Sequence, residues 1–300
     1  MAKKLDSQGR LDDAARAGWL YYVAGRTQDE IAVAMGISRQ SAQRLVSLAV
    51  AERLIKVRLD HPIAACLEYA AALREKFNLR HVDVVPSDPD GTSSTIGIAQ
   101  AGAAEIERWL RRSDPIVLAI GTGRTLKAAV DQLPAIACLQ HRAVSLTGNI
   151  GPDGSAAYYN VIFSMADVIK ARHFPMPLPV LVSSAGEREL LHAQALVRST
   201  LDISAQADVT FVGIGEMGVE APLCLDGFLE RDEMLALMDR GAAGEICGWV
   251  FDGNGKLMPD DVNDRVASAP LPSRDTCSVI GIAKGRRKFQ AIKAAVVGQQ

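Results

Sequence analysis

The sequence predicts two domains of different class: a small all-α domain with a winged-helix-like helix-turn-helix over residues 1–60, and an α/β domain with a mostly parallel, Rossmann-like sheet over residues 61–300. Three observations predict this. Three hundred residues exceed the usual size of one hydrophobic core. Residues 27–46, TQDEIAVAMGISRQSAQRLV, carry two short apolar stripes of helical period broken by one Gly. After His61 and Pro62, short apolar runs alternate with helical segments, the pattern of right-handed crossovers and a parallel sheet with helices on both faces.

The elements follow in order. Residues 11–24, LDDAARAGWLYYVA, form a helix whose Ala15, Trp19, Tyr22 and Val23 are expected to pack on the next two helices. Thr27 followed three residues later by Glu30 is a capping box, so a helix begins there. Ile31, Ala32 and Met35 form its apolar face, Gly36 ends it, and Ser38 caps a second helix with Ala42, Leu45, Val46 and Ala49 inward. That helix is expected to run to about Leu54, with a short strand over 55–59. Residues 63–79 are helical, and HVDVV, PIVLAI, RAVSL, PVLVSS, DVTFVGI, ICGWVF and CSVIGIA read as strands. The proline-dense FPMPLP of residues 174–179 reads as a rigid loop leading into one of them.

Composition narrows the classes. Hydrophobic residues make up 48% and charged residues 23%, enough for a large core and against disorder. The start, MAKKLDSQGRLDD, has no apolar signal-peptide core, and no run reaches membrane-span length, so a cytoplasmic, membrane-free protein is expected. Cys66, Cys138, Cys224, Cys247 and Cys277 are scattered without a C-x-x-C pair and read as reduced core residues. His141, His173 and His192 lack metal-ligand spacing, and no metal or cofactor is expected. With a net charge of −2, any polyanion contact must be local. Residues 1–60 hold ten basic against seven acidic residues, so the positive excess lies with the two short helices.

Two short helices joined by a Gly-containing turn are the DNA-binding arrangement whose second helix enters the major groove. Arg39, Gln40, Ser41, Gln43 and Arg44 crowd that helix's first turns, and such side chains pair with base edges and phosphates. Thr27, Gln28 and Ser38 complete the expected DNA-contacting set.

A second site is expected at PIVLAIGTGRTLKAAV. A buried strand runs into Gly121, Thr122, Gly123, Arg124 and Thr125 and then into a helix, which gathers backbone N–H groups and hydroxyls at a strand's carboxyl end, a place for an anion or a polyol. It is not a P-loop, since G-x-x-x-x-G-K-[ST] is absent. Residues 213–218, GIGEMG, match G-x-G-x-x-G without the helix and acidic strand end of a dinucleotide site, and read as a tight loop on the same crevice that includes Gly215. Lys288 opens the last helix, where a cation opposes the helix dipole, so an anionic neighbour is expected. Glu245, ahead of a strand, reads as a hydroxyl acceptor or a surface residue, and no catalytic nucleophile stands out.

Together and in order, Tyr21 with Tyr22, TQDEIAVAMGISRQSAQRLV, AIGTGRTL, FVGIG, GAAGEICGWVFDGNGK and GRRKFQAI resemble the SorC family of bacterial sugar-binding transcription regulators over nearly the whole chain. The resemblance implies an effector domain like those of glucosamine-6-phosphate deaminase and ribose-5-phosphate isomerase. It also implies a homotetramer that binds operator DNA under control of a sugar, polyol or sugar phosphate. By that likeness residues 121–125 and Lys288 hold an anionic group, Glu245 lies near hydroxyls, and Gly148 and Asn149 join them. Two departures matter. The second helix reads SRQSAQRLV where family members more often carry Val-Ser before Arg-Leu, and Thr147, Gly148 and Asn149 stand where paired glycines are usual.

Two other classes fit parts of the pattern. A sugar-phosphate isomerase or deaminase needs a positioned general base, which no motif supplies. A constitutive DNA-binding protein with an assembly-only second domain predicts no response to ligand.

Overall fold

The computed structural model describes residues 2–56, 64–88, 94–156, 159–259 and 261–298, and the chain divides into two compact units, Met1–Pro62 and Ile63–Gln300.

In the first unit α1 (Ala2–Tyr22), α2 (Gln28–Met35) and α3 (Arg39–Ala51) share a core of Ala17, Ile31, Ala32, Ala42 and Val46. Local chemistry sets the helix ends. The Glu30 N–H donates to Thr27 Oγ1 at 3.3 Å and the Thr27 N–H returns a bond to Glu30 Oε2 at 2.8 Å, the reciprocal capping box. Gly36 closes α2 with φ 66°, a left-handed position. The Ser41 N–H then donates to Ser38 Oγ at 3.1 Å to start α3.

The face of α1 differs from expectation. Ala14, Ala17 and Gly18 turn inward, while Trp19, Tyr22 and Val23 are exposed. A Cβ on Gly18 would lie 2.8 Å from the Ala49 Cβ, so α1 and α3 approach too closely for large side chains at the crossing. α3 ends at Ala51, earlier than expected, and Arg53 then adopts φ 56°. Ile55 and Lys56 form no strand, and the rest of the expected strand over 55–59 lies outside the described residues.

The second unit opens with α4 (Ala64–Phe77) and α5 (Ile96–Leu110). Then come β1 (Val117–Ile120), α6 (Arg124–Val130), β2 (Arg142–Ile150), α7 (Val161–Ile169), β3 (Arg172–Pro179), α8 (Ala185–His192), α9 (Ala195–Ser204), β4 (Val209–Gly213) and β5 (Gly215–Glu216). The chain continues through α10 (Pro222–Leu225), α11 (Arg231–Asp239), β6 (Ala242–Ile246), β7 (Trp249–Asp252), α12 (Asp261–Asp264), β8 (Ser278–Ile282), a 3-10 turn (Arg286–Lys288) and α13 (Phe289–Gly298).

The main sheet has the order β3-β2-β1-β4-β8, and every pairing in it is parallel. Alternate residues feed two cores. Val117, Ala119, Val144, Leu146 and Val212 face α9 and α13; Leu118, Ile120, Ala143, Val209 and Phe211 face α5, α6 and α7. Burial on both faces explains why these strands read as continuous apolar runs. The head of β1 is pinned from afar, its Val117 N–H bonding Asp208 Oδ2 at 2.7 Å and the preceding Ile116 N–H bonding His141 Nδ1 at 3.2 Å.

Three strand assignments change. Residues 81–85, HVDVV, form no strand with any of the described residues. β3 is the proline-dense stretch itself, ending where PVLVSS was expected to begin, because it is the sheet's edge and an edge strand needs donors on one side only. ICGWVF divides into two strands: Cys247 and Gly248, with φ 54° and 87°, turn the chain between β6 and β7, so Glu245 sits within a strand rather than ahead of one. β5, β6 and β7 make a separate antiparallel sheet. All five cysteines are unpaired; Cys138, Cys247 and Cys277 are buried, and Cys66 and Cys224 are half-buried. Among the described residues no helix is long and apolar enough to cross a membrane.

Candidate functional site

On the first unit the expected contact residues form an open surface. Arg39, Gln40, Gln43 and Arg44 are exposed along α3, Ser41 is half-buried beside them, and Thr27, Gln28 and Ser38 stand at the two helix starts. The inward residues Ala42, Val46 and Ala49 fix the roll of α3, so the polar row must face out. Arg39 Nε lies 3.3 Å from Asp29 Oδ1, a pair exposed on both sides and weakly held. Arg44 is exposed and forms no ion pair among the described residues. Thr27 and Ser38 spend their side-chain oxygens on backbone N–H groups, which makes their first role capping.

In the second unit β1 is followed by β2 on one side and paired with β4 on the other, so the strand order reverses between β1 and β4. A crevice forms at such a reversal, outside the strands' carboxyl ends. Residues 121–125 lie there. The Gly121 N–H donates to the Phe211 carbonyl at 2.8 Å, Thr122 Oγ1 donates to the Tyr159 carbonyl at 2.7 Å, and Gly123 takes φ 119° before α6. Arg124 is exposed and Thr125 half-buried.

The glycine-rich loop after β4 adjoins this one, as its spacing suggested. A Cβ on Gly213 would lie 3.3 Å from the Thr122 carbonyl oxygen, and one on Gly121 would lie 2.9 Å from Cys247 Sγ. Gly215 pairs with Glu245 across β5 and β6, and its Cβ would fall 1.9 Å from Glu245 Oε1. The second glycine of GIGEMG therefore makes room for a carboxylate of this chain.

Glu245 Oε2 accepts the Gly248 N–H at 2.8 Å. Burial raises the Glu245 carboxyl above the usual carboxylate range; the Gly248 N–H and the Lys288 ammonium pull it back, and Glu216 pushes it up. Burial, with Glu245 nearby, also raises the Cys247 thiol, which leaves it an inert packing group. Lys288 Nζ donates to the Ile214 carbonyl at 2.7 Å and lies 3.8 Å from Glu216 Oε2. The anionic neighbour expected of Lys288 is thus supplied by the protein itself.

The structure brings together the 121–125 loop, Gly215, Glu245 and Lys288, and adds Glu216 and Cys247, which sequence reasoning missed. An acidic residue inside a glycine-rich loop was the available signal for Glu216. Gly148 has a different duty: its Cβ would lie 2.0 Å from the Leu178 carbonyl oxygen, so it permits the close approach of β2 and β3, with Asn149 half-buried beside it. A separate hollow of about 540 Å³, lined by Arg188, His192, Arg198 and Trp249 among others, contains none of the ten expected effector residues.

Comparison with known proteins places the chain in a family. Residues 61–300 match the family described as "Putative sugar-binding domain". The erythritol catabolism regulatory protein EryD of Brucella abortus is 31% identical over 283 residues, covering 94% of this chain and 90% of that protein. The transcriptional regulator LsrR of Escherichia coli is 32% identical over 302 residues, covering 98% and 92%. The full-length sorbitol operon regulator SorC of Klebsiella pneumoniae has the same fold, with a TM-score of 0.74 at 24% identity over 95% of this chain and 92% of that one. All three are named as regulators.

Proposed function

Because the chain belongs to the SorC family of sugar-binding transcriptional regulators, we propose that residues 1–60 are a helix-turn-helix domain that reads an operator and that residues 61–300 hold its effector. The effector, a sugar, polyol or sugar phosphate, binds in the crevice at the reversal between β1 and β4. Residues 121–125, Gly148, Asn149, Gly215, Glu245 and Lys288 surround it, and the working form is a homotetramer. α3 is the recognition helix, positioned by Thr27, Gln28 and Ser38 and contacting DNA through Arg39, Gln40, Ser41, Gln43 and Arg44.

One observation carries this reading: four loops distant in sequence, after β1, after β4, in the β6–β7 hairpin and after β8, converge at the carboxyl end of the parallel sheet. The relative from Brucella abortus is named for erythritol catabolism, which favours small polyols among the candidates. Control is linkage: the effector binds the operator-competent and incompetent arrangements unequally, and the ratio of those affinities limits the switch.

Fluorescence anisotropy with DNA flanking the protein's own gene, titrated with and without sugars, polyols and their phosphates, tests both halves. A compound that changes operator affinity and raises the unfolding midpoint supports the reading. Operator binding unaffected by every compound would leave the assembly-only alternative.

A further inference from the structure

The crevice wall built by β5, β6 and Lys288 has a polarity opposite to that of an anion site. Two carboxylates, Glu216 and Glu245, stand against one ammonium, and that ammonium is already committed to the Ile214 carbonyl and to Glu216. Glu216 Oε2 is buried and has no hydrogen-bond partner among the described residues, since 3.8 Å to Lys288 Nζ is an ion pair too long for a hydrogen bond. An unsatisfied buried carboxylate oxygen is costly, and native proteins rarely keep one without a use. On the β2 side, Asn160 Oδ1 is another buried acceptor without a partner among the described residues; it follows Tyr159, whose carbonyl holds the Thr122 hydroxyl. Gly215 lacks the Cβ that would displace the Glu245 carboxylate.

We propose that Glu216 contacts the effector directly, its buried oxygen accepting a hydroxyl, and that the wall of Glu216, Glu245 and Lys288 receives the uncharged polyol part of the effector rather than an anionic group. This rests on the reading of the crevice as the effector site. Hydroxyls can donate to both carboxylates without adding charge, whereas a phosphate placed there would face two like charges at short range. Lys288 then acts as a positioning residue that keeps the two carboxylates from repelling each other.

The test is calorimetric titration of the full chain with four- to six-carbon polyols, the corresponding deoxy compounds lacking one terminal hydroxyl, and the polyol phosphates. Wild type, E216Q and E216A are compared. For whichever compound binds wild type most tightly, E216A is expected to bind about tenfold more weakly and E216Q to fall between. The ligand-free unfolding midpoint of E216Q should match wild type, which separates a binding role from a structural one. One deoxy compound should bind E216A as well as its parent does, because the hydroxyl it lacks is the one Glu216 accepts. Equal affinities for wild type, E216Q and E216A would overturn this assignment alone. No binding of any compound to wild type would overturn it together with the effector reading.

Discussion

Residues 27–51 and the crevice of the second unit solve the same problem, holding polar groups in fixed positions, by different means. Around α2 and α3 the decisive partners are three residues apart: Thr27 with Glu30, and Ser38 with Ser41. In the crevice they are far apart, with Thr122 bonded to Tyr159, Lys288 to Ile214, and Gly215 cleared for Glu245. A site of the first kind is written along one short stretch of chain. A site of the second kind exists only once the sheet has formed, so its residues cannot be assigned roles until their neighbours are known.

If that distinction holds, glycine substitutions in the second unit should differ sharply from one another. Gly148→Ala places a Cβ 2.0 Å from the Leu178 carbonyl oxygen and 2.5 Å from the Pro179 backbone, atoms that cannot swing aside. A loss of about 3 kcal/mol is expected, seen in calorimetry as a midpoint lowered by roughly 6–12 °C; an unchanged midpoint would refute the close β2–β3 approach. The corresponding test in the first unit is functional. Arg44→Ala should weaken operator binding by about 1–3 kcal/mol in anisotropy while the unfolding midpoint stays put, because the side chain is exposed. Unaltered affinity would remove Arg44 from the recognition surface.

Gly215→Ala sharpens the contrast with Gly148. Its Cβ meets the Glu245 side chain from Cγ to Oε1 rather than backbone, so the fold should lose less than with Gly148→Ala, about 1–2 kcal/mol, while effector affinity falls about tenfold. Loss of folding without a separate binding defect would mean that the Glu245 carboxylate is held rigidly for stability. Ser38→Ala removes the α3 cap and should cost about 1 kcal/mol, confined to the first unit, in amide exchange of α3. Protection lost equally in both units would contradict a local role.

The smallest expected effect is a pH dependence. Burial raises the Glu245 carboxyl, so from its ordinary 4.5 up to its folded value the native chain keeps a proton that the unfolded chain releases. Stability contributed by this group therefore falls as pH rises through that window and is level above it. Glu245→Gln removes the dependence. Relative to wild type, the variant's denaturant midpoint should be flat with pH below 4.5 and rise in its favour above; a flat difference throughout would place the carboxyl at its ordinary value.

Legibility followed the same distinction. The caps at Thr27 and Ser38, the stop at Gly36 and the inward stripe of α3 were readable because each depends on residues within one or two turns. The face of α1 was misread because apolar size suggested Trp19 and Tyr22, whereas the helix crossing selected Ala14, Ala17 and Gly18 for closeness. β3 was hidden by its prolines, whose missing donors do no harm on an edge. The β6–β7 turn was hidden because Cys247 takes a left-handed conformation usually left to Gly, Asn or Asp. In GIGEMG the partner of the second glycine, the Glu245 carboxylate, lies thirty positions away.

By itself the sequence determined that this protein joins a short helical module with an exposed polar row to a parallel α/β sheet, and that glycine loops gather at the sheet's carboxyl end. Periodicity, capping and strand burial are properties of neighbouring residues, so they survive without coordinates. The tertiary structure alone decided which residues face one another there: that Lys288 is neutralised from within, that Glu216 keeps an oxygen free, and that Gly148 serves the sheet. Those outcomes depend on distances between segments thirty to seventy-four residues apart, and such distances are set by packing of the whole sheet rather than by any local stretch.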